Sequence, residues 1–242
     1  MSRRPLLRRG AARAESGMTL LEIMVAMMIL SVALAIVFSV LISLQNDEVT
    51  VSSRHAANQQ AQLITYSLSR QVHAAATPSG MSSPFVIATA TELKFYSALG
   101  NSNGPTQLDI HAVPACAGCS TMEMVEDMVQ PTLVGGLPSY TGSSQRVVLG
   151  SGLVVPVPTP STDCSTGSPG IFQYYSYLAS SSGTCLVLDT SQSPPAVASS
   201  QFARIDSIHM TITTEDPGRP TTSSQSEIAL DVSLPNVDYA NA

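Results

Sequence analysis

The feature that most constrains this chain is an uninterrupted apolar run near its N-terminus. From Met18 to Leu44 there are 27 residues with a single charged side chain, Glu22. As a helix at about 1.5 Å per residue, the run is about 40 Å long, more than the bilayer core of about 30 Å. It therefore predicts a membrane-spanning helix and argues against a cytosolic enzyme.

The charged residues are distributed so as to orient such a helix. Five of the 11 Lys and Arg residues precede it, whereas the part after Gly17 has 6 basic and 16 acidic residues, a net charge of −10. By the positive-inside rule, the basic N-terminus stays in the cytoplasm and the rest is exported. An acidic domain lacks the basic surface that binds phosphate backbones, so we expect no direct nucleic-acid binding.

Glu22 marks a functional position within the run. A carboxylate in a membrane span costs about 2.5–3.5 kcal/mol near the helix centre and less toward its end. The run is too long for an ordinary secretory signal, and no small-residue cleavage site follows it at Ser43 to Val51. Cleavage between Gly17 and Met18 would create an α-amine four residues from Glu22. Glu22 of one subunit could then neutralise the amine of another, whereas a plain signal anchor gives Glu22 no role.

The residues around Gly17 support this mechanism through a resemblance. The string Glu-Ser-Gly-Met-Thr-Leu-Leu-Glu, ending at Glu22, resembles the class III signal of type IV prepilins and type II secretion pseudopilins. In that family a short basic leader ends in Gly, followed by Phe or Met, Thr-Leu-x-Glu and a long apolar helix. The resemblance implies that a prepilin peptidase cleaves after Gly17, that Met18 is N-methylated, and that Glu22 acts in assembly.

The sequence after the span predicts a helix that continues into a globular head. Neither Gly nor Pro occurs from 18 to 77, and Pro78 and Gly80 end the helix near Ala76. We expect four parts: a leader (1–17), a transmembrane or filament-core helix (18–44), an amphipathic continuation (45–77) and an exported head (78–242). The amphipathic stripe steps by threes and fours through Ala57, Ala61, Ile64, Leu68, Val72 and Ala75.

The sequence of the head predicts an antiparallel sheet that packs on this stripe. The predicted fold is therefore α+β and pilin-like. The clearest pair of strands is Ile208–Thr214 with Glu227–Leu234, in which apolar and polar residues alternate. Further strands are predicted at Pro84–Tyr96, Gln107–Val113, Arg146–Leu149, Ile171–Leu178 and Thr184–Asp189, with loops at Val155–Pro169 and Ser191–Ser200. The residues Phe-Gln-Tyr-Tyr from Phe172 and the late hairpin also resemble the larger minor pilins of the PilW and PulJ type.

The cysteines are consistent with an exported head. All four follow the span, and an even number in an exported domain favours disulfides, although four cysteines allow three connectivities. The preferred pairs close local loops: Cys116 with Cys119, and Cys164 with Cys185. A zinc ribbon would need a second Cys-x-x-Cys, and a redox dithiol would need a helix start where the residues indicate a loop.

Catalytic and metal-binding signatures are weak. The histidines, His55, His73, His111 and His209, lack metal-ligand spacing, and no nucleophile or phosphate-binding motif occurs. The acidic cluster Glu123, Glu126 and Asp127 lacks the spacing of an EF-hand. We interpret it as a solvated face and expect no enzyme activity, cofactor or metal.

The resemblance thus implies a minor pilin of a type IV pilus that acts in filament assembly, initiation or at the tip. The expected partners are prepilin peptidase, other pilins or pseudopilins through the N-terminal helix, and the inner-membrane assembly platform. We expect a single-pass inner-membrane protein that moves to the pilus, the cell surface or the periplasm. The alternatives are a minor pseudopilin of type II secretion and, in a different class, a signal-anchored exported enzyme or sensor that keeps its leader.

Overall fold

The computed structural model describes residues 19–99, 103–119, 121–156, 170–176, 184–189, 195–216 and 225–234. The chain divides into two units, one ending at Val49 and the other beginning at Thr50. One α-helix, α1 (Leu20–His73), contributes to both units, and an antiparallel sheet follows it. The predicted α+β class is therefore confirmed.

The part of α1 that belongs to the second unit packs on the sheet through the predicted stripe. All six residues of the stripe are buried, with at most 1% of each surface exposed; five lie on α1 and Ala75 follows its end. The helix packs closely on the sheet at Gly150, where an added Cβ would lie only 2.6 Å from Ile64 Cγ1. Glycine is therefore required there because any side chain would occupy the space that Ile64 fills.

The head contains 11 strands among the described residues. In chain order they are β1 (Phe85–Ala88), β2 (Glu92–Ser97), β3 (Thr106–Pro114), β4 (Met122–Val129), β5 (Thr132–Val134), β6 (Leu137–Ser139), β7 (Gln145–Leu153), β8 (Phe172–Ser176), β9 (Thr184–Cys185), β10 (Ser207–Thr214) and β11 (Ser226–Ser233).

Nine of these strands form one sheet in the order β1-β2-β3-β4-β7-β10-β8-β9, with β11 paired to β10; β5 and β6 form a separate hairpin. The predicted pair near the C-terminus is confirmed, since β10 and β11 are antiparallel along their whole length, from Ser207 opposite Ser233 to Thr214 opposite Ser226. A short 3-10 helix (Ser199–Arg204) precedes β10.

The buried side chains lie mainly between α1 and the sheet. Leu68 of α1, Phe95 of β2 and Phe172 of β8 are fully buried. Tyr174 is fully buried as well, and its hydroxyl donates to the Thr89 carbonyl at 2.8 Å, so that no buried donor is lost. Burial raises the pKa of the Tyr174 phenol well above its ordinary value.

Several predicted boundaries were wrong. The run Pro84–Tyr96 is two strands, because the Thr89 hydroxyl accepts the N–H of Glu92 at 2.8 Å and closes a turn between β1 and β2. Strands β4, β5 and β6 were not predicted, and β9 covers only the first two residues of Thr184–Asp189. Residues 157–169, 177–178 and 191–194, on which the predicted loops and one predicted strand end fall, lie outside the described residues.

The helix also ends earlier than predicted, at His73 rather than near Ala76. The backbone beyond it pairs with the end of β2: the Ala76 N–H donates to the Tyr96 carbonyl at 2.9 Å, and the Ala98 N–H donates to the Ala74 carbonyl at 2.7 Å. Pairing with the sheet satisfies these groups, so the helix stops before Pro78 requires it to.

Candidate functional site

The N-terminus of α1 is closed by a side-chain cap. The Glu22 N–H donates to the Thr19 hydroxyl at 3.3 Å and to the Thr19 carbonyl at 3.0 Å. The Ile23 N–H donates to the same carbonyl at 3.3 Å. Thr19 is therefore the N-cap residue, and Glu22 is the third residue of the helix. A Thr three residues before a Glu is the spacing of a capping box, from which this cap could have been predicted.

Glu22 lies in the first turn of α1, where free backbone N–H groups give a partial positive charge that favours an anionic side chain. It is exposed in the subunit and forms no ion pair with any described residue. Gly17 and Met18 lie outside the described residues, so cleavage after Gly17 and methylation of Met18 stay predictions. Glu22 is thus available to a partner outside its own subunit.

The helix that follows Glu22 presents apolar side chains all round. Every residue from Thr19 to Val49 is exposed in the subunit; Leu20 and Leu44, for example, are 77% and 58% exposed. Among the described residues, one helix, α1, is long and apolar enough to cross a membrane. An apolar surface of this size is stable only in lipid or against other proteins.

Two serines within the span, Ser31 and Ser39, bond to the backbone of their own helix. The Ser31 hydroxyl donates to the Met28 carbonyl and the Ser39 hydroxyl to the Ile36 carbonyl, both at 2.8 Å. A hydroxyl that bonds to its own helix needs no water, so both serines are compatible with an apolar environment. Glu22 is then the one charged side chain in this part of the helix.

The comparisons with known proteins agree with this geometry. The family model of the prokaryotic N-terminal methylation motif matches residues 12–38, a range that contains the Thr19 cap and Glu22. This motif at the N-terminus indicates the class of type IV pilins and pseudopilins. No curated protein and no solved structure gives a significant match to the chain. The prepilin motif implies processing by a prepilin peptidase, assembly with other pilin-type subunits and a membrane-anchored N-terminus.

The cysteine prediction is confirmed at one pair. Cys116 and Cys119 form a disulfide, with their Cα atoms 5.2 Å apart, across the turn between β3 and β4. Gly118 has a positive φ of 84°, and the Cys119 N–H donates to the Cys116 carbonyl at 3.2 Å, so the pair closes a tight turn rather than starting a helix. Cys185 is also disulfide-bonded. Its predicted partner, Cys164, lies outside the described residues.

The outer face of the sheet, turned away from α1, carries a row of charges. Lys94, Asp109, Asp127 and Arg146 lie opposite one another on β2, β3, β4 and β7. Lys94 Nζ is 3.2 Å from Asp109, and Arg146 donates two hydrogen bonds to Asp127 at 2.7 and 2.9 Å. These bonds from Arg146 lower the pKa of the Asp127 carboxyl. The row consists of two opposite-charge pairs, and each pair stabilises the pairing of two neighbouring strands.

The prediction that Glu123, Glu126 and Asp127 form one solvated face was wrong. Successive residues of β4 point to opposite faces of the sheet, so Glu126 points toward α1 while Asp127 joins the outer row. Glu126 is only 4% exposed and accepts a hydrogen bond from Gln71 Nε2 at 2.6 Å. The signal that could have shown this is the alternation Met124, Glu126, Met128, which places Glu126 among apolar residues.

Three of the histidines contact a nearby polar side chain, and His73 is the last residue of α1. His111 contacts Asp109 at 3.3 Å, His209 contacts Asp231 at 2.7 Å, and His55 contacts Gln59 at 3.0 Å. Among the described residues, no three His, Cys, Asp or Glu side chains are grouped so that they could hold a metal ion. The described geometry supports helix packing around Glu22, which lies at the capped start of an exposed apolar helix.

Proposed function

We propose that this chain is a minor pilin of a type IV pilus that acts in filament assembly, at initiation or at the tip, and has no enzymatic activity. The observation that carries the proposal is the capped start of α1, where Glu22 stands alone at the head of an exposed apolar helix. A carboxylate in that place is useful when a neighbouring subunit supplies a positive charge. The amine of a processed Met18 is such a charge.

The head supports a minor rather than a major subunit. A nine-stranded sheet with an additional hairpin is large for a subunit that must repeat along a shaft, since major pilins are usually shorter. A large head is accommodated more easily at a tip or in an initiation complex. The resemblance of the residues from Phe172 and of the late hairpin to PilW- and PulJ-type proteins favours the same position.

The localisation follows from the charge distribution. The basic residues before Met18 favour retention of the leader in the cytoplasm, and the acidic remainder favours export of the head. The protein would wait in the inner membrane until the assembly platform extracts it. It would then become part of a filament at the cell surface, or in the periplasm if it serves a secretion system.

Deletion of the gene tests the proposal. If the chain is a minor pilin, the deletion strain should make few or no surface pili but should secrete its extracellular enzymes normally. Expression of the wild-type chain should restore the pili. Complementation with Glu22→Ala should fail, whereas Glu48→Ala, which removes an exposed carboxylate of the same helix beyond the span, should succeed. Normal pili with lost secretion would instead assign the chain to type II secretion as a pseudopilin.

A further inference from the structure

Glu126 is a buried carboxyl in an apolar layer of the head. It lies on β4 between two cross-strand partners, Ile110 of β3, which is fully buried, and Val147 of β7, which is 41% exposed. Met124 and Met128 precede and follow it on the same face. Only 4% of its surface is exposed. A carboxylate in such a place loses its hydration and requires a cation or several hydrogen-bond donors to remain charged.

The charged groups on the elements around Glu126 do not supply that cation. On α1, Arg70 and His73 are exposed, and Arg70 lines a surface groove that Gln71 also borders. On β3 and β4, Asp109, His111 and Asp127 belong to the outer face, as does Arg146 of β7, which is bonded to Asp127. On β2, Lys94 is paired with Asp109, and Ser97 donates to the Gln71 carbonyl at 3.0 Å.

Gln71 is the polar partner of Glu126, and its own hydrogen bonding is incomplete. Its Nε2 donates to Glu126 Oε2 at 2.6 Å, a short bond. Its amide oxygen, Oε1, is buried and has no donor among the described residues. An ionised Glu126 only accepts hydrogen bonds and cannot satisfy this oxygen. A protonated Glu126 carries an O–H on the carboxyl that the amide already contacts.

We propose that Glu126 is a neutral carboxylic acid in the folded head and forms, with Gln71, a proton-dependent latch that fastens the C-terminal end of α1 to the sheet. In the protonated state the acid can donate to the amide oxygen while the amide donates to the acid. In the ionised state the amide oxygen has no donor and the charge is buried without a counter-ion. The latch therefore holds while the acid is protonated and weakens as the pH rises through the pKa of Glu126 in the folded head.

The direction of the titration agrees with this geometry. Burial raises the pKa of Glu126, and the hydrogen bond from Gln71 lowers it by a smaller amount. A carboxyl whose pKa is higher in the folded than in the unfolded chain binds its proton more tightly when folded. Its contribution to stability is fully present below the unfolded pKa and is lost as the pH rises through the folded pKa.

The test uses the full chain in detergent micelles and two matched variants. Glu126→Gln removes the titration while keeping an amide that can pair reciprocally with Gln71. Glu123→Gln makes the same change in charge on the same strand, at a half-exposed position. Thermal unfolding of the head is followed from pH 5 to pH 9 by near-ultraviolet circular dichroism of its tyrosines. The carboxyl carbon resonance of Glu126 is titrated in parallel in the wild-type chain.

If the latch exists, the midpoint temperature of the wild-type head falls as the pH rises. The midpoint of Glu126→Gln should fall less and should exceed the wild-type value by about 2–4 °C at pH 9. Glu123→Gln should follow the wild type. A Glu126 resonance that titrates in the ordinary glutamate range would overturn the proposal, and so would a Glu126→Gln head that is less stable at every pH. If Glu126→Gln fails to fold, the wild-type resonance alone decides.

Discussion

Thr19 and Glu22 form one local unit at the start of α1: the Glu22 N–H is 3.3 Å from the Thr19 hydroxyl that caps the helix. The cap fixes where the helix begins and places Glu22 in its first turn. If the chain is cut after Gly17, Thr19 becomes the second residue of the mature protein. Thr19 then follows the new amine directly in sequence, and Glu22 follows that amine by four residues.

The first prediction concerns Glu22. Glu22→Ala should be processed normally but should enter filaments about tenfold less efficiently, because a polar contact between helices in lipid contributes about 1–2 kcal/mol. Quantitative immunoblots of sheared filaments and of membranes measure the incorporated fraction. Glu48→Ala serves as the control on the same helix. Equal incorporation of Glu22→Ala and the wild type would remove Glu22 from the mechanism.

A second prediction concerns the contact between Ile64 and Gly150. Gly150→Ala should destabilise the head by about 1–3 kcal/mol, because the new methyl group would overlap the Ile64 side chain and force the helix away from β7. Gly142→Ala is the matched control, since its added Cβ meets no atom closer than 4.0 Å. Thermal unfolding of both variants compares them directly. An unchanged midpoint for Gly150→Ala would show that the helix is less closely packed than described.

The third prediction concerns the disulfide between Cys116 and Cys119. Replacing both by Ser should lower the free energy of unfolding by about 2 kcal/mol, since the bond closes a very short loop. The hairpin itself should remain, because Ala115 and Thr121 are still joined by a backbone hydrogen bond of 3.1 Å. Denaturant unfolding measures the first effect, and limited proteolysis at the turn reports the second. A double variant as stable as the wild type would show that the turn needs no covalent closure.

The ion pair of Asp127 and Arg146 predicts a dependence on acid. Because the pKa of Asp127 is lowered in the folded chain, the stability due to this pair is present above the unfolded pKa and is lost as the pH falls through the folded value. Arg146→Met should make the head slightly less stable at pH 7. It should also make the unfolding midpoint fall less steeply as the pH is lowered. Unfolding midpoints between pH 2 and pH 7 test this. If the midpoints of the variant and the wild type fall equally with decreasing pH, the prediction is contradicted.

The parts of the structure that the sequence predicted well depend on one-dimensional patterns. The stripe from Ala57 to Ala75 has the period of a helix, and Ile228, Leu230 and Val232 have the period of a strand, so each indicated its own buried face. The pairing of β10 with β11 followed because the two strands are close in sequence. The disulfide between Cys116 and Cys119 could be predicted for the same reason, because the two cysteines are close in sequence.

The parts that the sequence did not predict depend on contacts between distant residues. Gln71 and Glu126 are 55 residues apart, and only the fold of β4 against α1 makes the acid buried rather than solvated. The helix end at His73 is set by pairing with β2, which lies beyond the window of any local signal. Thr89 closes a turn without Gly or Pro, so the break between β1 and β2 left no mark in the composition.

The most direct test of the account is the mass of the N-terminal peptide of the native protein, compared between cell membranes and sheared surface filaments. The account predicts a mature chain in the filaments that begins at N-methylated Met18. Gly17→Leu should abolish that product and leave the protein in the inner membrane. A chain that keeps residues 1–17 and occurs only in the membranes of cells with an active peptidase would contradict the account. The signal-anchored enzyme or sensor would then be the leading hypothesis.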